Sequence, residues 1–155
     1  MTDFLKGLID GLDPATLLPD LETLFAKLAP MAKIAVLAGP VVLLVMGAIY
    51  FFLAPKEANH TLGFRCWWGM SSVEVWQFTQ KLAGATWMGL GLVLGIVALV
   101  SSGKYPDMGY QELMFSAIST IIWQICLVIV SIVLVNLILI ILYDHKGYRR
   151  GTRPR

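Results

Sequence analysis

Residues 115–143 read FSAISTIIWQICLVIVSIVLVNLILIILY, without one charged side chain. At about 1.5 Å per residue a helix of this run is roughly 44 Å long, and the hydrocarbon core of a bilayer is only about 30 Å thick. Working outward toward the N-terminus, Leu82–Val100 and Ile34–Leu53 are also uncharged and apolar. Each has close to the ~20 residues that a spanning helix needs. The chain has 155 residues, of which 57% are hydrophobic and 14% charged. Soluble domains carry about 45–50% and about 25%. The fold class expected is an all-α membrane protein, with three transmembrane helices preceded by short amphipathic N-terminal helices.

The expected organisation is an amphipathic N-terminal segment over residues 1–32, a three-span domain over 33–143 and a basic tail over 144–155. In the first segment Phe4, Leu5, Leu8, Ile9 and Leu12 share one helical face, with Asp3, Lys6 and Asp10 opposite. Asp13-Pro14 breaks that helix. A second amphipathic piece places Leu17, Leu18, Leu21, Leu24, Phe25 and Leu28 together, and Pro30 is expected to end it. Helices lying in the interface plane are the simpler reading, and a docking surface for a partner is the other. The first residues lack the basic start and compact apolar core of a cleavable signal peptide. In the first span, Gly39-Pro40 predicts a kink, because proline removes a backbone donor.

Between the first two spans lies a polar, tryptophan-rich hairpin. Gly63 and Gly69 mark turns or close backbone approach. Ser71-x-x-Glu74 has the spacing of a capping box, so the next helix should start near Ser71 or Ser72. Trp67, Trp68, Trp76 and Trp87 are expected as interfacial anchors. In the second span Gly84, Gly91, Gly95, Ala98 and Ser102 fall on one face, and Gly91-x-x-x-Gly95 is a small-residue pattern for close helix approach in lipid. That face is expected to continue outward through Lys81 and Gln77. In the third span Ser116, Thr120, Gln124 and Ser131 share a face and Asn136 projects elsewhere. Such groups usually bond to neighbouring helices. The tail from His145 onward reads as basic and flexible.

Basic residues mark the cytoplasmic side of a membrane protein. Hairpin and tail together hold eight, namely Lys56, Arg65, Lys81, Lys146, Arg149, Arg150, Arg153 and Arg155, against four elsewhere (Lys6, Lys27, Lys33, Lys104). The N-terminus is therefore expected outside, with hairpin 55–81 and the C-terminus cytoplasmic. The basic tail would lie on anionic lipid head groups. Cys66 and Cys126 fit neither a disulfide framework nor a metal motif, and both are expected as free thiols. The sequence holds no P-loop, no dinucleotide fingerprint and no zinc-ligand spacing. No cofactor and no nucleic-acid partner are expected.

The hairpin residues Asn59, Gly63, Arg65, Ser71, Glu74 and Trp76, followed by Ala83-Gly84, resemble the signature of the SdpI family of bacterial integral membrane proteins. That signature has an Asn, a Gly-x-Arg-Thr turn, a Ser, a Glu before Trp, then an Asn and an Ala-Gly pair entering the next span. Here Cys66 stands in place of Thr and Gln80 in place of Asn. The resemblance implies a bacterial cell-membrane protein whose family namesake confers immunity to a secreted killing peptide. Its partners would be a toxin peptide or a cytoplasmic regulator. Physically the signature reads as a knot. Arg65 would meet Trp67, Trp68 and Glu74 through cation–π and carboxylate contacts, while Asn59 and Gln80 would bond backbone left open by the turns. Snorkelling of Arg65 to head groups is the simpler alternative.

Three functions are compatible with these residues. One is a non-catalytic immunity or signalling protein. Another is a small membrane enzyme with His60 or Glu74 as base and Arg65 as anion clamp, against which stands the lack of a nucleophile–base pair. The third is a structural homo-oligomer built on the glycine stripe.

Overall fold

The computed structural model describes residues 19–58 and 62–151, with side chains from residue 27 onward. The expectations for Asp3–Leu12, Asn59, His60 and residues 152–155 fall outside that range. Helix α1 (Pro19–Ala48) continues into a π-helical turn (Ile49–Leu53). The hairpin follows, with a 3-10 turn at Trp68–Met70, then α2 (Val73–Ser102), a second 3-10 turn (Tyr105–Asp107) and α3 (Tyr110–Leu142). Lys27–Leu53, Val73–Asp107 and Tyr110–Leu142 are each long and apolar enough to cross a membrane. Less than a third of each is buried within the chain. The large exposed side chains of these helices are mostly valine, isoleucine and leucine, as lipid solvent demands. The protein is an all-α membrane protein with three spans.

Pro30 does not end a helix. It lies inside α1, which runs unbroken from Pro19. A mid-helix proline costs about 3 kcal/mol. Here the flanking Ala29 and Ala32 pack against a buried cluster of Val36, Ala98, Tyr105, Leu113 and Ala117, which holds the helix together across the proline.

Pro40 is also internal to α1. Lacking an N–H, it cannot bond the carbonyl four residues back, which is that of Val36. The buried Gln124 of α3 supplies the missing donor, with Nε2 to Val36 O at 2.9 Å. Gly39 leaves room for this side chain, since a Cβ there would stand 2.6 Å from Gln124 Oε1. A polar residue in the third span thus repairs a backbone defect in the first.

Helices α1 and α2 meet along glycines. A Cβ on Gly84 would stand 2.7 Å from Phe51 N and 2.8 Å from Gly47 O. One on Gly91 would stand 2.9 Å from both Leu44 N and Pro40 O. Each obstacle is backbone, which cannot swing aside. Gly47 is the reciprocal partner, 2.7 Å from Met88 N. Gly95 differs, because its nearest neighbour would be Pro40 Cβ at 3.7 Å, an ordinary contact. The tight part of the seam is therefore Gly84 and Gly91, not Gly91-x-x-x-Gly95. At its outer end the seam continues through Ala83, Gln80, Thr79 and Trp76, all buried. Lys81 and Gln77 face outward, because steps of four from Gly84, not of three, follow the contact face. Ser131 of α3 accepts from Trp87 Nε1 at 3.2 Å, joining α3 to α2. Asn136 bonds only its own helix, to Ile132 O at 2.8 Å.

Candidate functional site

Three residues one turn apart on α2 each hold a different segment of chain. Ser72 is the N-cap of α2, and its hydroxyl accepts from Val75 N at 3.3 Å. The same hydroxyl donates to Gly147 O in the tail at 3.3 Å. Four residues on, the fully buried Trp76 donates its indole N–H to Pro55 O at 2.8 Å, at the exit of α1. Four residues further, the buried Gln80 closes both backbone groups of Phe64. Phe64 N donates to Oε1 at 2.7 Å, and Nε2 donates to Phe64 O at 2.8 Å. The side-chain amide acts here as one rung of a strand ladder. Gln77 adds an exposed bond to Lys56 O at 3.1 Å.

Gly63 makes the Phe64 rung accessible. Its φ is +126°, a region L side chains rarely adopt. A Cβ there would also stand 2.7 Å from the Trp76 ring and 2.9 Å from Gln80 Oε1. Phe64 then enters a buried cluster with Val75, Ala83, Val135, Leu139 and Tyr143. It meets Trp87 edge-on, with ring centroids 5.8 Å apart. After it the chain tightens. Gly69 N donates to Cys66 Sγ at 3.3 Å, and Ser71 Oγ donates to Trp68 O at 2.7 Å. Burial pushes the Cys66 thiol above the usual range, partly opposed by the Gly69 N–H. The thiol is free, as is that of Cys126.

Several expectations are corrected by this geometry. Ser72, not Ser71, caps α2. Ser71 instead bonds the preceding 3-10 turn, so the capping box with Glu74 does not form. Trp76 is a buried strut and Trp87 a half-buried one, whereas Trp67 is 89% exposed and fits the role of interfacial anchor. Arg65 and Glu74 face different elements. Successive residues of extended chain point to opposite sides, so locking Phe64 inward turns Arg65 out, where its charge acts on Tyr50 in the π-helical turn after α1. Glu74, exposed, acts on the Tyr143 phenol together with Arg149. That phenol is pushed up by burial first and Glu74 second, with Arg149 opposing.

The tail is folded over residues 143–150. Tyr143 and Arg149 pair in an antiparallel bridge. Asp144 Oδ1 accepts from Lys146 N at 3.0 Å and Tyr148 N at 2.9 Å, an Asx-type turn. Gly147 (φ +80°) turns the chain where a Cβ would stand 2.7 Å from Ser72 Cβ. Asp144-x-x-Gly147 was the available signal for this turn. Motif reading missed Gly147 despite that signal, and missed Gly47 because it belongs to no local pattern of spacing.

A family model described as the SdpI/YfhL protein family matches residues 55–144. The chain belongs to the SdpI/YfhL family. Neither curated proteins nor solved structures yielded a match. The SdpI/YfhL match begins at Pro55, whose carbonyl receives Trp76, and covers the hairpin, α2 and α3. Within it lie Gly63, Arg65, Ser71, Glu74, Trp76, Gln80 and Gly84, together with Gly91 and Gly95. The structure unites Gly63, Trp76 and Gln80 directly, sets Gly84 one turn below, and leaves Arg65 and Glu74 on the rim. Helix α1, which supplies Gly47 and Pro40 to the seam, lies before the SdpI/YfhL match.

Proposed function

We propose that this SdpI/YfhL protein is a non-catalytic bacterial cell-membrane protein that protects against, or relays the presence of, a membrane-active toxin peptide. One observation carries the reading. The buried polar groups of Trp76, Thr79 and Gln80 in the hairpin region are spent on backbone acceptors and donors, and the Trp68 indole N–H is buried with no partner among the described residues. The charged groups Lys56, Arg65, Glu74 and Lys81 lie on the exposed rim. A scaffold that fixes its backbone and displays charge outward suits recognition of another chain, whereas an active site converges polar groups inward. The glycine stripe favours packing within the chain, because α1 occupies it. Hairpin and tail meet at one end of the bundle through Ser72 and Gly147, which supports a shared cytoplasmic location under the basic-residue rule. The partner would be the toxin peptide or a cytoplasmic regulator, and the tail cations would rest on anionic head groups.

The test is survival of a sensitive bacterial host expressing each variant under challenge by membrane-active toxin peptides, with neighbouring genes as candidate sources and membrane abundance measured. Arg65→Lys should lose most protection at normal abundance, because arginine offers a planar fork that lysine lacks. Full protection by Arg65→Lys would show that only a cation is needed there. Full protection by the double variant Arg65→Ala/Glu74→Ala would remove the rim from the mechanism.

A further inference from the structure

At the end of the bundle away from the hairpin, a cavity of about 660 Å³ opens between the start of α1 and the turn joining α2 to α3. Its size falls in the roughly 300–1,000 Å³ range of small-molecule sites. Leu28, Pro30, Met108 and Leu113 give it apolar walls, and Tyr105 and Tyr110 add two phenols. Among the described residues, Lys33 is the one charged residue on the wall. Asp107 and Glu112, nearby in sequence, are exposed and do not line it. Tyr105 is 1% exposed, and its hydroxyl, itself buried, has no hydrogen-bond partner among the described residues. Buried hydroxyls ordinarily have one.

We propose that this cavity binds an anionic phospholipid, with its phosphate on Lys33 and an acyl chain along Leu28, Met108 and Leu113. A phosphodiester offers acceptors only, which complements the Lys33 ammonium, a donor. The place fits as well. The cavity lies where three membrane-crossing helices end, the level at which tyrosines collect and head groups meet chains. The site is separate from the hairpin and does not depend on the reading of its role.

The experiment is native mass spectrometry and thermal unfolding of the purified full-length protein in detergent. Dioleoylphosphatidylglycerol, dioleoylphosphatidylcholine and soluble glycerol 3-phosphate are added in separate arms. One phosphatidylglycerol should be retained per chain and raise the melting temperature, and the other two should do neither. Lys33→Ala should weaken retention at least tenfold, while Lys33→Arg keeps it. Lys27→Ala and Lys104→Ala, which change exposed lysines off the wall, should leave it intact. Equal retention of the two phospholipids would overturn the proposal. So would wild-type retention by Lys33→Ala, or an equal loss in all three lysine-to-alanine variants.

Discussion

Gln80→Leu removes the rung that ties Phe64 to α2. Both bonds are short, at 2.7 and 2.8 Å, and both lie in the buried interior. The substitution strands the N–H and C=O of Phe64, and a buried unsatisfied group costs about 1–3 kcal/mol. The pair therefore costs about 2–6 kcal/mol, less about 1–2 kcal/mol for the better burial of an apolar side chain, which leaves a net of about 1–4 kcal/mol. The loss is local, because α2 and its glycine seam with α1 are untouched. It should appear as opening of the hairpin. Cys66, half-buried two residues after Phe64, is the natural reporter. At tenfold per 1.4 kcal/mol, the open population should rise about 5- to 700-fold, and the alkylation rate of Cys66 with it, measured in a Cys126→Ala background.

Gln80→Glu sharpens the same test. A protonated glutamic acid can make both bonds, with its carbonyl accepting from Phe64 N and its hydroxyl donating to Phe64 O. An ionised one loses the donor and buries a charge. The carboxyl is thus held above the ordinary range near 4.3. A raised folded-state pKa contributes stability that is present below the unfolded pKa and lost as pH rises through the folded one. Relative to wild type, Cys66 in Gln80→Glu should therefore be protected in acid and open at neutral pH, measured with a pyridyl disulfide that reacts across the range. A Gln80→Leu labelling rate within about twofold of wild type would refute the reasoning, since so small a change is below the two-bond estimate.

Three further outcomes are expected. Gly91→Ala should destabilise by about 1–3 kcal/mol, as overpacking against backbone does, whereas Gly95→Ala should be neutral or slightly stabilising through helix propensity; thermal unfolding in detergent distinguishes them. Because the Cys66 thiol is held above its usual range, the stability of the hairpin should be constant at neutral pH and fall as pH rises through the elevated pKa, and a Cys66→Ser variant should lack that alkaline limb in a pH-dependent unfolding series. Gln124→Leu should cost about 0.5–2 kcal/mol alone and much less in a Pro40→Ala background, where the new N–H can bond Val36 O; additive losses in that double-mutant cycle would mean that Gln124 does not serve the proline.

The spans were legible because their cause is local. A bilayer fixes the length and charge of each segment, and residues 115–143 state both. The hairpin was legible as a polar knot, and Gln80 as a residue bonding turn backbone, because an amide near two glycines has few other uses. What could not be read was which face each element turns inward. Ser71 and Ser72 are both competent caps, and the choice between them is made 75 residues away, where Gly147 brings its carbonyl to the Ser72 hydroxyl. Trp67, Trp68, Trp76 and Trp87 look alike in sequence, yet Trp76 is buried only because Gly63 has no Cβ to strike its ring. The role of Gln124 depends on Pro40, and no spacing rule connects positions in different spans.

These long-range choices converge on one ladder along α2. Ser72, Trp76, Gln80 and Gly84 follow at intervals of four, so they rise along one face of the helix. In turn they engage the tail, the exit of α1, the return of the hairpin and the α1 backbone at Gly47 and Phe51. None of these segments can leave alone without freeing a buried donor or acceptor or opening a close backbone contact. Force applied to the rim, at Arg65 or Glu74, is therefore delivered to α2 within one or two turns. The route runs either through Phe64 and Gln80 or through the first turn of the helix at Ser72. A ligand that bound the rim and pulled Phe64 out of its cluster would have to break the Gln80 rung, because both backbone groups of Phe64 are bonded to that amide.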